Sequence, residues 1–94
     1  MRLVGKELLA EFERRHADIK APLAVWISEV EDADWKGPAD IRARYPSASF
    51  LSENRIVFNI KGKRYRIEAK VNYEIKVVLA RRIGTHAEYS KWAL

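Results

Sequence analysis

Apolar residues recur at helical spacing in the first half of the chain and at every second position in the second half. Leu8, Leu9 and Phe12 share one face of a helix that begins at Lys6, with Glu7, Glu11, Arg14 and Arg15 mostly on the other. A bend is expected at His16–Lys20, where Asp18 is a predicted N-cap and Pro22 fits the first turn of a second helix. In that helix Leu23, Trp26, Ile27 and Val30 recur every three or four residues, which gives two antiparallel helices joined by a tight turn. Met1–Val4 is read as an edge strand or a frayed end. Gly37 and Pro38 end the helical region, because the residue before a proline disfavours the α conformation. Asp40–Tyr45 predicts a short helical turn closed by Pro46, and Ser47–Asn54 a polar connection anchored by Phe50.

From residue 56 the period is two. Ile56, Phe58 and Ile60 alternate with Val57, Asn59 and Lys61, and Gly62 marks a hairpin turn. Tyr65, Ile67, Ala69 and Val71 alternate with Arg64, Arg66, Glu68, Lys70 and Asn72. After a turn at Asn72-Tyr73-Glu74, Val77, Leu79, Arg81 and Ile83 are expected on one face and Val78, Ala80 and Arg82 on the other. Gly84 ends this strand, and Thr85–Leu94 predicts a short tail with a last helical turn. The expectation is α+β: a small antiparallel sheet, built as a three-stranded meander with an N-terminal strand, and a helical hairpin on one face. Residues 1–94 read as a single domain without repeats or a linker.

Composition narrows the chemistry. The chain has no cysteine, which removes disulfides, thiolate zinc sites and cysteine nucleophiles, and no His-rich metal spacing stands out. A disulfide-free small domain suits a reducing compartment, so the cytoplasm is expected. Charged residues interrupt the N-terminal apolar run before it reaches the length of a signal peptide, and no window approaches a membrane span. The net charge of +5 suits a polyanionic partner.

The placement of that charge is more informative than its sum. One face of the second meander strand carries Arg64, Arg66 and Lys70, relieved by Glu68, and Lys61 and Lys63 extend the patch at the turn. A polar outer face is ordinary for a sheet covered on one side. Cations repeated on one pleat also suit a phosphate backbone, which arginine grips bidentately. Tyr45, Tyr65, Tyr73 and Trp92 are candidates either for base stacking or for packing. His16 is read as solvated. His86 follows a strand end, Tyr89 lies three residues on, and Arg81 precedes them on the last strand. A histidine exchanges a proton near neutral pH, so this set offers a base, an acid and cations for cleaving RNA by 2′-hydroxyl attack. Capping and packing of the C-terminus is the competing reading of His86 and Tyr89. The carboxylates Glu29, Glu31, Asp32 and Asp34 are read as a solvated acidic patch.

Four segments together resemble the HigB-type toxins of the RelE/ParE-like superfamily: residues 35–42 (WKGPADIR), 54–62 (NRIVFNIKG), Tyr65-Arg66, and 84–89 (GTHAEY). The chain departs from the usual pattern at Lys63, Arg82 and Ser90. The resemblance implies a RelE-like fold and endoribonucleolytic cleavage of mRNA on translating ribosomes, without a metal or other cofactor. It implies a HigA-like helix-turn-helix antitoxin, with operator DNA contacted only through the toxin–antitoxin pair. It also implies Arg66 as the phosphate-binding arginine, His86, Tyr89 and Arg81 as further catalytic groups, and polar groups from the strand that holds Asn59 and Lys61. Asn59, Lys61, Lys63, Arg64 and Lys70 are thus the expected RNA contacts. The acidic helix end and the seams around Trp26 and Trp35 are candidate antitoxin contacts. Two alternatives remain: a non-cleaving toxin of the same fold acting on a protein such as gyrase, and a plain nucleic-acid-binding module.

Overall fold

A computed structural model of the protein describes residues 1–92; the last two residues of the expected C-terminal turn, 93 and 94, lie outside the described residues. Strand β1 (Arg2–Val4) leads into helix α1 (Lys6–Arg15), and a 3-10 turn (Ala17–Ile19) runs into α2 (Lys20–Asp32). Helix α3 (Pro38–Arg44) and the short strand β2 (Ser49–Phe50) precede the meander β3 (Arg55–Ile60), β4 (Tyr65–Asn72) and β5 (Val77–Thr85). Helix α4 (His86–Tyr89) closes the described chain. The sheet order is β1-β5-β4-β3-β2, with β1 parallel to β5 and the other pairs antiparallel. The fold is therefore α+β. Two edge strands flank the expected meander, and Phe50 anchors the polar connection by pairing with Ile56.

Helices α1 and α2 cover one face of the sheet. Leu9 and Phe12 of α1 and Leu23, Trp26 and Val30 of α2 are buried against Phe58, Ile67, Ala69, Val71 and Val78. Leu8, expected on the inner face, stands outward because the sheet takes the Leu9–Phe12 side of α1. Phe58 is fully buried, with the Trp26 ring 5.3 Å and the Tyr45 ring 5.2 Å away. Trp26 and Trp35 are thus core residues, not surface seams. Tyr45 belongs with them, and burial followed by the nearby Glu29 carboxylate pushes its hydroxyl up to about 12. Gly5 links β1 to α1 at φ +100°, and a Cβ there would lie 2.5 Å from the Ala80 carbonyl oxygen. Only glycine fits that approach.

The expected acidic patch is largely paired. Glu29 bonds Arg44, Glu31 bonds Lys6 at 2.5 Å, and Asp34 bonds Lys76 at 2.8 Å. Asp18 does not cap α2, whose N-cap is Ile19. The 3-10 turn carries the chain into α2 already in helical geometry, so the Asp18 side chain is directed elsewhere.

The expected alternation of β5 holds only to Ala80. Ala69 pairs with Ala80, but Glu68 pairs with Arg82, so Arg81 is an extra residue in a β-bulge. The bulge reverses the phase of the strand. Ile83 joins the covered face opposite Ile67, and Arg82 joins the other face opposite Glu68.

Candidate active site

The face of the sheet away from α1 and α2 forms cross-strand rows. Asn59, Arg66 and Gly84 make one row, Val57, Glu68 and Arg82 the next, and Arg55, Lys70 and Leu79 a third. Helix α4 lies over the first row. Its start is set by a capping box: Thr85 Oγ accepts from the Glu88 backbone N–H, and the Glu88 carboxylate accepts from that of Thr85. The latter bond leads the causes that hold the Glu88 carboxyl below its usual range. The sequence Thr-x-x-Glu is itself the signal for this helix start.

Gly84 makes the close seating of α4 possible. A Cβ at Gly84 would lie 2.9 Å from Trp92 Cζ2 and 3.1 Å from Glu88 Cβ. With α4 in place, the Tyr89 ring lies 4.5 Å from the Arg66 guanidinium carbon, within cation–π range. Arg66 Nε and the Oδ1 of Asn59, on the directly opposite residue of β3, are both buried and have no hydrogen-bond partner among the described residues. Asn59 Nδ2 donates to the Ser47 carbonyl at 2.9 Å. The row thus holds a cation clamped under an aromatic ring, beside an amide with unused acceptor capacity.

His86 is the first residue of α4 and is exposed, and its backbone N–H donates to the Arg64 carbonyl at 3.1 Å. Its backbone therefore lies at the same end of the sheet as Arg66, and Tyr89 bridges the two by way of the short helix. Its ring makes no hydrogen bond among the described residues.

Arg81 lies on the second row, not the first. Its NH1 is 3.4 Å from Glu68 Oε2, and Arg82 Nε is 3.8 Å from Glu68 Oε1, too long for a hydrogen bond. Glu68 is only 1% exposed, so the bulge folds two arginines over one buried carboxylate. Alternation alone places Arg81 and Arg82 on opposite faces and hides this cluster.

Lys61 and Arg64 are already engaged. Asp18 Oδ2 accepts from Lys61 Nζ at 3.0 Å and from Arg64 NH1 at 3.2 Å, while Oδ1 accepts from the Tyr65 hydroxyl at 2.6 Å. Those bonds, the tyrosine's foremost, hold the Asp18 carboxyl well below the ordinary carboxylate range. Tyr65 is buried, so it serves this tether rather than base stacking. His16 is not a free solvated side chain: its ring stacks on Phe12 at 4.2 Å and meets the edge of Tyr65 at 5.6 Å. Lys63 is exposed at the hairpin tip, and Lys70 stands exposed on the open face; neither has a carboxylate within 4.0 Å among the described residues. No group of three or more potential metal ligands occurs among the described residues, and none of their helices is long and apolar enough to cross a membrane.

The chain is 25% identical over 91 residues to the mRNA interferase toxin HigB of Escherichia coli (strain K12), a match covering 95% of this chain and 88% of the relative. The proteins named mRNA interferase HigB in Escherichia coli O157:H7 and Shigella flexneri match to the same extent. The family model for the RelE-like toxic component of a toxin–antitoxin system, HigB toxin, matches residues 19–92, from the end of the 3-10 turn through α4. The chain therefore belongs to the HigB toxin family.

Proposed function

We propose that the protein is an mRNA endoribonuclease that acts on the ribosome and whose chemistry is carried by its own side chains. The observation that carries this reading is the Arg66–Tyr89 contact at 4.5 Å, which joins a β4 cation to the helix that begins with His86. In the proposed reaction the ribose 2′-oxygen attacks the adjacent phosphorus and the bond to the 5′-oxygen breaks. A base takes the 2′-hydroxyl proton, and an acid gives one to the departing 5′-oxygen, leaving a 2′,3′-cyclic phosphate and a 5′-hydroxyl. Arg66 binds the phosphate oxygens and stabilises their growing charge, with Arg81 beside it on the next row. His86 acts as acid or base, and Tyr89 holds Arg66 and orients the nucleophile. Lys63 and Lys70 contact the flanking backbone. Asn59 offers its unused acceptor to the ribose. Lys61 and Arg64, tied to Asp18, brace the hairpin that presents this surface.

The partner in this reading is a HigA-like helix-turn-helix antitoxin, and operator DNA is met only by the pair. The site of action is the cytoplasm, where the substrate is translated. The test compares His86→Ala and Arg66→Ala with the parent for growth arrest and for RNA cleavage, with and without ribosomes, and follows the parent on RNA with a phosphorothioate at the scissile position, with and without a thiophilic metal. Both variants should fold normally, lose cleavage and cease to arrest growth. Parent-level cleavage by both would overturn the assignment; a phosphorothioate block that a thiophilic metal relieves would overturn the metal-free chemistry.

A further inference from the structure

The open face continues beyond the candidate site into a groove of about 650 Å³ at the β4–β5 turn. Its walls include Lys36, Asn54, Lys70, Asn72, Ile75 and Leu79, with Glu74 as the one carboxylate against two lysines. Ile75 is 67% exposed and Leu79 38%, and the two stand together in the wall of this one groove. Ile75 is held there by local structure, since Asn72 Oδ1 accepts from the backbone N–H groups of both Glu74 and Ile75, at 3.0 and 3.2 Å. The Asn54 side chain and Asn72 Nδ2 donate no hydrogen bond among the described residues.

Two observations favour a nucleic-acid strand here over a protein segment. Lys70 shares the outer face of β4 with Arg66, and four residues of strand separate them by about 13 Å. Between them the only acid on that face of β4 is Glu68, which is buried beneath Arg81 and Arg82 and so leaves the path cationic. An apolar floor with amide hydrogen-bonding groups, and with Lys36 and Lys70 outweighing Glu74 in charge, suits an unpaired base and its phosphate.

We propose that this groove is a nucleotide subsite: the mRNA strand held at Arg66 runs along β4, lays one unpaired base on Ile75 and Leu79, and places a phosphate on Lys70. The proposal rests on the reading of the protein as an RNA nuclease and adds where the flanking strand goes. Base edges meet Asn54 and Asn72, which makes the groove a contributor to sequence preference.

The test titrates an isotope-labelled His86→Ala variant with a dinucleotide and with a longer single-stranded oligoribonucleotide, following amide and side-chain signals. Both ligands should move signals of Arg66 and Tyr89, and only the longer one those of Asn54, Lys70, Ile75 and Leu79. Ile75→Asp should weaken the longer strand about tenfold, the loss expected when one base loses its platform. Shifts confined to Arg66 and Tyr89 would overturn the groove and leave the nuclease reading intact. Shifts at neither place would overturn the nuclease reading as well. A groove that responds to the antitoxin but not to the longer strand would show a protein surface and overturn the proposal.

Discussion

Replacing Gly84 with valine tests whether the seating of α4 on the sheet makes the site. Its Cβ would stand 3.1 Å from Glu88 Cβ and 2.9 Å from the Trp92 ring. Carbon atoms settle about 3.5–4.0 Å apart, so α4 must retreat by roughly 0.4–0.9 Å for the Cβ alone, and further for the two added methyl groups. Overpacking of this kind costs about 1–3 kcal/mol when the surroundings cannot yield. Here they can, because α4 is four residues long and, beyond its own capping box, is tied down by the His86 N–H bond to the Arg64 carbonyl and by the Tyr89–Arg66 contact. The strain should therefore lift α4 rather than unfold the domain. Melting should fall by only a few degrees, on the order of 1 kcal/mol. Cleavage should fall far more, about 100-fold, because a displacement near 1 Å of groups that position a reacting phosphate has that effect. Cleavage kinetics, thermal melts by circular dichroism and the tryptophan emission spectrum would be measured together. If Gly84→Val cleaves like the parent while emission reports a displaced Trp92, then α4 does not build the site.

Four further outcomes follow from the same geometry. Arg66→Ala should lower the cleavage rate by about 10²–10³, the usual effect of removing a donor to developing negative charge, with little change in melting temperature. Lys70→Ala should reduce the slope of log affinity against log salt for single-stranded RNA by about 0.7, as expected for one lost phosphate contact. Asp18→Asn should alter acid stability in a defined direction. The folded carboxyl titrates below its ordinary 3.8, so its stabilisation is complete above about pH 4 and is lost as pH falls further; the variant's melting temperature should decline less steeply across that window than the parent's. Phe58→Ala should cost about 3–5 kcal/mol in denaturant unfolding, because Trp26, Tyr45 and Trp35 surround a fully buried ring.

Much of this molecule is legible from local pattern. The three-to-four spacing of Leu9, Phe12, Leu23, Trp26 and Val30 and the alternation of Ile56, Phe58, Ile67 and Ala69 identify the core, because helix and strand geometry decide which side chains share a face. The basic outer face of β4 and the tail with His86 and Tyr89 are visible for the same reason. The motif Thr-x-x-Glu marks the start of α4.

What only the tertiary structure decided depends on neighbours remote in the chain. The bulge at Arg81 arises from pairing with β4, and it turns an apparent alternation into two arginines over Glu68. Asp18 reads locally as a helix cap, yet its partners Lys61, Arg64 and Tyr65 lie more than forty residues away, and charge-assisted bonds to them outweigh a cap the 3-10 turn leaves unneeded. The clamp of Tyr89 on Arg66 requires Gly84 of β5 to pair directly with Arg66 of β4. Periodicity tells which way a side chain points relative to its own backbone, whereas strand register and packing determine what it meets there.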